Sequence, residues 1–121
     1  MDYFPLFIKL KHQPCLVVGA GEIAARKIEL LGRTGAQISV VAEHISEHVL
    51  DMQSRFNLGI RQQRFAEDDV IGMRLVVSAT NDRATNELIA ATADKHNIPV
   101  NVVDNPDLCS FIFPAIVDRS P

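Results

Sequence analysis

Residues 15–24 read Cys-Leu-Val-Val-Gly-Ala-Gly-Glu-Ile-Ala. Cys15, Leu16, Val17 and Val18 are apolar without alternation, the pattern of a strand covered on both faces in a parallel sheet. They run directly into Gly19-Ala20-Gly21, after which the apolar positions take up helical spacing across residues 22–33. Ile23, Ala24, Lys27, Ile28, Leu30 and Leu31 are expected on the inner side, with Glu22, Arg26 and Glu29 outward and Gly32 and Gly35 ending the helix. Gly19 permits a tight strand-to-helix turn, Gly21 lets an anionic group reach the backbone and the helix N-terminus, and Ala24 keeps the helix close to the sheet. In this context the Gly-x-Gly-x-x-Ala pattern is the fingerprint of a dinucleotide-binding turn, although a plain turn made tight for packing would use the same glycines.

The same alternation continues outward. Residues 37–42 (QISVVA) form a second strand, and residues 45–57 a second helix with Ile45, Val49, Met52 and Phe56 inward and Ser46 placed to cap it. Residues 60–65 are a more polar third strand, as at a sheet edge. Residues 74–80 (RLVVSAT) repeat the buried-strand pattern, and a helix opens at Asn81 or Asp82 and runs to about Asn97. Residues 98–103 form another strand, and residues 111–117, with Pro114, read as a last strand at an edge or bulge. Residues 3–11, interrupted by Pro5, are an edge strand or an arm laid on the sheet. Strands separated by helices specify right-handed βαβ units. The expected fold is α/β, a Rossmann-type doubly wound, mainly parallel sheet with helices on both faces.

Composition narrows the function classes. With 121 residues the chain is one domain, and 12 Lys+Arg against 15 Asp+Glu give a net charge of −3. That balance argues against nucleic acid or an anionic membrane as partner. Cys15 and Cys109 show no Cys-x-x-Cys spacing and read as reduced thiols. No apolar run approaches membrane-spanning length, and no basic stretch precedes an apolar one at the start, so a cytoplasmic location is expected. His44 and His48 have the i, i+4 spacing of a two-histidine metal pair, but no third ligand accompanies them and the helix face they would share is surface-like; no metal centre is expected.

In a doubly wound sheet, ligands lie beyond the carboxyl ends of the strands at the topological switch point. The candidates there are the Gly19–Gly21 turn, residues 78–81 and Asp104-Asn105, with Thr80 and Asn81 over the cofactor. Glu43 follows the second strand, about 20 residues beyond the glycine turn, where an acidic residue takes ribose hydroxyls. No arginine directly follows it to receive a 2′-phosphate, which favours NAD over NADP; the other reading makes Glu43 a solvated residue ahead of the second helix. Asp104 is the acid–base group nearest a nicotinamide ring on that edge, or else an Asx-turn residue closing its strand before Asn105-Pro106.

Four stretches, FPLFIKLK at 4–11, VVGAGEIAARKIELL at 17–31, VVSATND at 76–82 and NVVDNPDLCSFIFPAIVDRSP at 101–121, together resemble the N-terminal domain of siroheme synthase. This is the precorrin-2 dehydrogenase and sirohydrochlorin ferrochelatase family, and the resemblance is collinear over essentially the whole chain. It implies NAD-dependent oxidation of precorrin-2 to sirohydrochlorin, followed by insertion of Fe²⁺ as a substrate. It implies NAD contacts at Glu22, Ile23, Glu43 and His44, and a role for Asp104 in both reactions. It also implies that residues 1–121 are an NAD(P)-binding domain excised from a longer enzyme, homodimeric when complete, lacking a dimerisation region and, in fused enzymes, a methyltransferase domain. Such a fragment is expected to have little dehydrogenase activity alone. Two other readings share the glycine turn, a non-catalytic NAD-sensing module and a dehydrogenase of another substrate; neither a sensing module nor its sheet needs Asp104.

Overall fold

A computed structural model describes residues 2–114 of the chain. Five strands, β1 (Pro14–Val18), β2 (Gln37–Ala42), β3 (Gly59–Gln62), β4 (Leu75–Ser78) and β5 (Val100–Val102), form one parallel sheet in the order β3-β2-β1-β4-β5. Three helices connect them: α1 (Glu22–Gly32), α2 (Glu47–Phe56) and α3 (Arg83–Lys95). β1 lies at the centre, with Val18 opposite Val41 of β2 and Ser78 of β4. The chain steps outward from β1 to β2 and β3, then crosses back to place β4 on the other side of β1. The switch point therefore falls between β1 and β4.

The continuous apolar strands are explained by cover on both faces. Cys15, Val17, Val40 and Val77 pack against Ala24, Ile28 and Leu31 of α1 and Val49 and Met52 of α2. Leu16, Val18, Val76 and Val100 face the opposite layer, where Ile89, Ala90 and Ala93 of α3 meet Val70 of the short 3₁₀ turn Glu67–Val70. Burial in the first layer pushes the Cys15 thiol up to about 11, against a weaker opposing pull from the Arg74 charge. Gly32 lets α1 approach α2, since a Cβ there would lie 2.5 Å from the Phe56 ring.

Several boundaries differ from the sequence reading. α2 starts at Glu47, with Ser46 at its N-cap accepting a hydrogen bond from the Val49 amide at 3.3 Å. His44 therefore precedes the helix and forms no i, i+4 pair on it with His48. Ile23 does not share the inner face of α1; it is 42% exposed, because the buried face runs through Ala24, Ala25, Ile28 and Leu31 and Ile23 lies round the helix from it. Residues 2–13 form no strand: the segment is an arm that leaves Phe4, Leu6 and Phe7 exposed and inserts Leu10 into the core.

The last strand read over residues 111–117 is also not found. Residues 111–114 are not strand, and 115–117 lie outside the described residues. The physical reason is that the outer edge of β5 is already occupied. The Ser110 amide donates to the Val100 carbonyl at 2.8 Å, and the Val100 amide donates to Ser110 Oγ at 2.8 Å. The Val102 amide donates to Cys109 Sγ at 3.1 Å, and Asn101 Nδ2 donates to the Phe111 carbonyl at 3.1 Å. Side chains thus complete a ladder that a sixth strand would otherwise supply.

Asn86 joins β4 to α3 in the same manner. Its Oδ1 accepts from Ser78 Oγ at 2.7 Å and Thr80 Oγ1 at 2.6 Å, while its Nδ2 donates to the Thr80 carbonyl at 3.2 Å. Ser78 is fully buried, so removing the amide strands a hydroxyl away from water. Asn86→Leu is expected to cost about 2–4 kcal/mol, from one unsatisfied hydroxyl and the loss of two further bonds. A shift of the urea midpoint at unchanged slope checks it.

Candidate functional site

A cleft of about 1310 Å³ opens at the carboxyl ends of the strands. Gly19, Gly21, Glu22, Ile23, Glu43, His44, Thr80 and Asp104 all line it. Ala24 does not; it is buried beneath the turn, holding α1 against the sheet. The topology thus brings together the residues singled out from four separate parts of the sequence.

The two glycines serve different needs. Gly19 has φ +109°, and a Cβ there would stand 2.4 Å from the Ala79 carbonyl oxygen of the β4–α3 turn. Its amide also donates to the Val41 carbonyl at 2.9 Å, so the turn is fixed to β2 on one side and pressed against β4 on the other. Gly21 is the N-cap of α1 with φ −93°, and a Cβ there would have nothing within 4 Å. Its missing side chain leaves open space on the cleft side.

Three helices begin at this cleft, and they differ in how their first turns are satisfied. Ser46 caps α2 with its own hydroxyl. Asp82 stands at the N-cap of α3 without a side-chain capping bond to the helix backbone, but it places a carboxylate at the helix start, held below the usual carboxylate range chiefly by the Thr85 hydroxyl. α1 has no side-chain cap, and the carboxylate in its first turn, Glu22, is drawn off to His48 Nδ1 of α2 at 3.0 Å. The free N–H groups and positive end of α1 remain available to an external anion. Open space over Gly21 and an uncapped helix start together fit a dinucleotide pyrophosphate. Among the described residues no group of three or more His, Cys, Asp and Glu side chains is arranged to hold a metal ion.

Glu43 lies at the end of β2 on the far side of the cleft. Its carbonyl accepts from Gln62 Nε2 at 3.0 Å, and its Oε1 accepts from Arg64 Nε at 3.0 Å. No arginine directly follows Glu43 in the chain, yet one stands beside it in space. The pairing of Ala42 with Gln62 across β2 and β3 brings it there, and nothing in the local sequence around Glu43 announces it.

On the other side, Thr80 does not present a free hydroxyl to the cleft; it donates to Asn86 and accepts from the Asp82 amide at 3.2 Å. Asp104 follows β5, one strand beyond β4, and is exposed with φ +62°. The turn after it is braced by Arg83 at the start of α3, which bonds Asn105 Oδ1, Asp107 Oδ2 at 3.0 Å and Glu87 Oε1 at 2.9 Å. Arg83 was not legible as a brace from sequence, because its partners lie on another element.

Comparison with known proteins agrees with this geometry. Residues 6–115 match the family described as "Putative NAD(P)-binding". The chain belongs to that family. It is 50% identical over 121 residues to the siroheme synthase of Methylococcus capsulatus, covering all of this chain and 26% of that protein. It is 49% identical over 122 residues to the siroheme synthase of Nitrosomonas eutropha, with the same coverage. The chain thus spans about a quarter of the length of these relatives, and the likeness falls on their N-terminal region. Among solved structures, "SirC, precorrin-2 dehydrogenase" superposes with a TM-score of 0.85 and 29% identity, covering 97% of this chain and 57% of that one. The apo-structure of D-lactate dehydrogenase from Escherichia coli, at a TM-score of 0.62 and 11% identity over 85% of this chain and 32% of that one, shares the fold alone.

The contrast between the glycines is testable in one pair of variants. Gly19→Ala is expected to lose about 3 kcal/mol of stability, from the left-handed backbone and the clash with Ala79. Gly21→Ala is expected to keep its denaturation midpoint while weakening NAD binding by about tenfold, because the methyl stands where the pyrophosphate approaches. Calorimetric titration with NAD beside urea denaturation of both variants checks this.

Proposed function

We propose that this chain is the NAD-binding domain of an enzyme that oxidises precorrin-2 to sirohydrochlorin in siroheme biosynthesis, with Asp104 as the proton acceptor. The observation that carries the reading is that the uncapped start of α1 and the Asp104 carboxylate line one cleft, on opposite sides of the switch point. The likeness to a precorrin-2 dehydrogenase and to siroheme synthases supplies the substrate class.

The oxidation removes two hydrogens from a partly reduced macrocycle, one as hydride and one as a proton. Bound NAD supplies the hydride acceptor. The start of α1 and Gly21 hold the pyrophosphate, and Glu43 accepts hydrogen bonds from the adenosine ribose hydroxyls. The Ser78–Asn86–Thr80 network keeps the floor of the cleft rigid beneath them. Asp104 takes the proton on its carboxylate, in an arrangement that the Arg83 brace fixes from α3. After releasing that proton to solvent, the same carboxylate accepts in turn the pyrrole N–H protons that leave as Fe²⁺, a substrate, enters the ring to give siroheme. It passes each of them to solvent. In this reading the complete enzyme is a cytoplasmic homodimer whose remaining regions help to enclose the tetrapyrrole. Among the described residues no helix is long and apolar enough to cross a membrane.

Two outcomes are expected. NAD should bind more tightly than NADP, because the Glu43 carboxylate repels a 2′-phosphate, and Glu43→Ala should narrow that difference. Titration with each nucleotide at equal ionic strength checks it; equal affinities in the unaltered chain would remove Glu43 from the ribose.

For Asp104, the left-handed backbone makes asparagine the informative replacement, since it keeps the turn while lacking the base. In the full-length enzyme, both Asp104→Asn and Asp104→Ala should slow precorrin-2 oxidation and iron insertion by about 10²–10⁴-fold, with NAD affinity nearly unchanged. If asparagine restores the rate that alanine loses, Asp104 holds a turn and transfers no proton.

A further inference from the structure

We propose that Arg64 sets how strongly this domain rejects the 2′-phosphate of NADP, by standing beside Glu43 with a guanidinium that can turn from the carboxylate to the phosphate. The inference rests on the nucleotide reading above and concerns a residue that reading does not use.

Arg64 follows β3 and reaches Glu43 through the register of β2 with β3, in which Val41 pairs with Arg61 and Ala42 with Gln62. Its Nε donates to Glu43 Oε1 at 3.0 Å, with 88% of the arginine side chain and 58% of the glutamate side chain exposed. An ion pair so open to water is held weakly and parts at little cost. Only Nε of this guanidinium has a partner among the described residues, so both terminal nitrogens remain to grip a phosphate as a fork.

The other nearby cation on β3 is differently committed. Arg61 bonds the carboxylate of Asp69 at 3.0 Å, and the Asp69 side chain is only 5% exposed. Releasing Arg61 would leave a buried carboxylate without its counter-charge. Arg64 is therefore the guanidinium free to respond to what enters the cleft.

The two cofactors ask different things of this pair. With NAD, Glu43 accepts the ribose hydroxyls and Arg64 keeps its bond to the carboxylate. With NADP, a group carrying nearly two negative charges arrives at the same place, where Glu43 alone would repel it. Arg64 offsets the Glu43 charge and offers the phosphate two further donors. The result is a site that prefers NAD by a margin Arg64 keeps small.

The test is calorimetric titration of the chain with NAD and with NADP at two salt concentrations, for the unaltered protein and for R64Q, R64K and E43Q. R64Q should weaken NADP by about tenfold and NAD by less than about threefold, widening the preference for NAD, with R64K in between because it keeps the charge but not the fork. The loss of NADP affinity should shrink at high salt, and E43Q should tighten NADP. An unchanged NADP-to-NAD ratio in R64Q overturns the assignment. So does an equal loss of both nucleotides, which would make Arg64 a positioning residue for Glu43. Failure of the unaltered chain to bind either nucleotide overturns the nucleotide reading itself, and this inference with it.

Discussion

The backbone of Gly19 passes so close to the Ala79 carbonyl that no side chain fits between them, and the carboxyl end of the sheet is arranged around that approach. β1 and β4 are neighbours, yet each leaves the sheet through its own turn toward a helix on the opposite face. Two such turns crowd one another unless one lacks a Cβ. With glycine at position 19 the chain takes a left-handed step, bonds to Val41 on the other side, and delivers the start of α1 to the rim of the cleft.

From that placement follows an electrostatic division of labour among the helix starts. α2 is capped by the Ser46 hydroxyl and α3 carries the Asp82 carboxylate at its start, whereas α1 has a glycine at its cap and a first-turn carboxylate diverted to His48. The positive potential of one helix is thus left for a ligand, while the other two contribute walls. On the β2 side the wall is charged but nearly balanced, through Glu43 and Arg64. On the β5 side Asp104 precedes a turn that Arg83 ties back to α3.

How much of this could be read from residues alone follows from the range of the interactions. The buried strands, the order of elements, the Ser46 cap and the glycine turn were legible because each is specified by neighbours in sequence. The parallel sheet followed from the run of Val and Leu in β1 and its repetition in β4. Ile23 was misplaced because the apolar side of α1 is wider than the face the sheet covers, which is set by the small Ala24 and Ala25 with Ile28 and Leu31. Arg64 was missed because its neighbour depends on the register of two strands joined by a helix. Residues 111–114 read as a strand because Phe111, Ile112 and Phe113 have strand composition, and only the structure reveals that Ser110 and Cys109 already fill the edge they would join.

That closed edge bears on how the domain behaves away from its natural surroundings. An uncovered parallel edge is a template for further strands, including those of other molecules. Here Ser110, Cys109 and Asn101 use up the polar groups of β5, and the opposite edge is the short, polar β3. Among the described residues, the β5 side of the sheet is already closed. Within those residues the β5 edge therefore presents no open row of backbone donors and acceptors on which a strand of another molecule could extend the sheet.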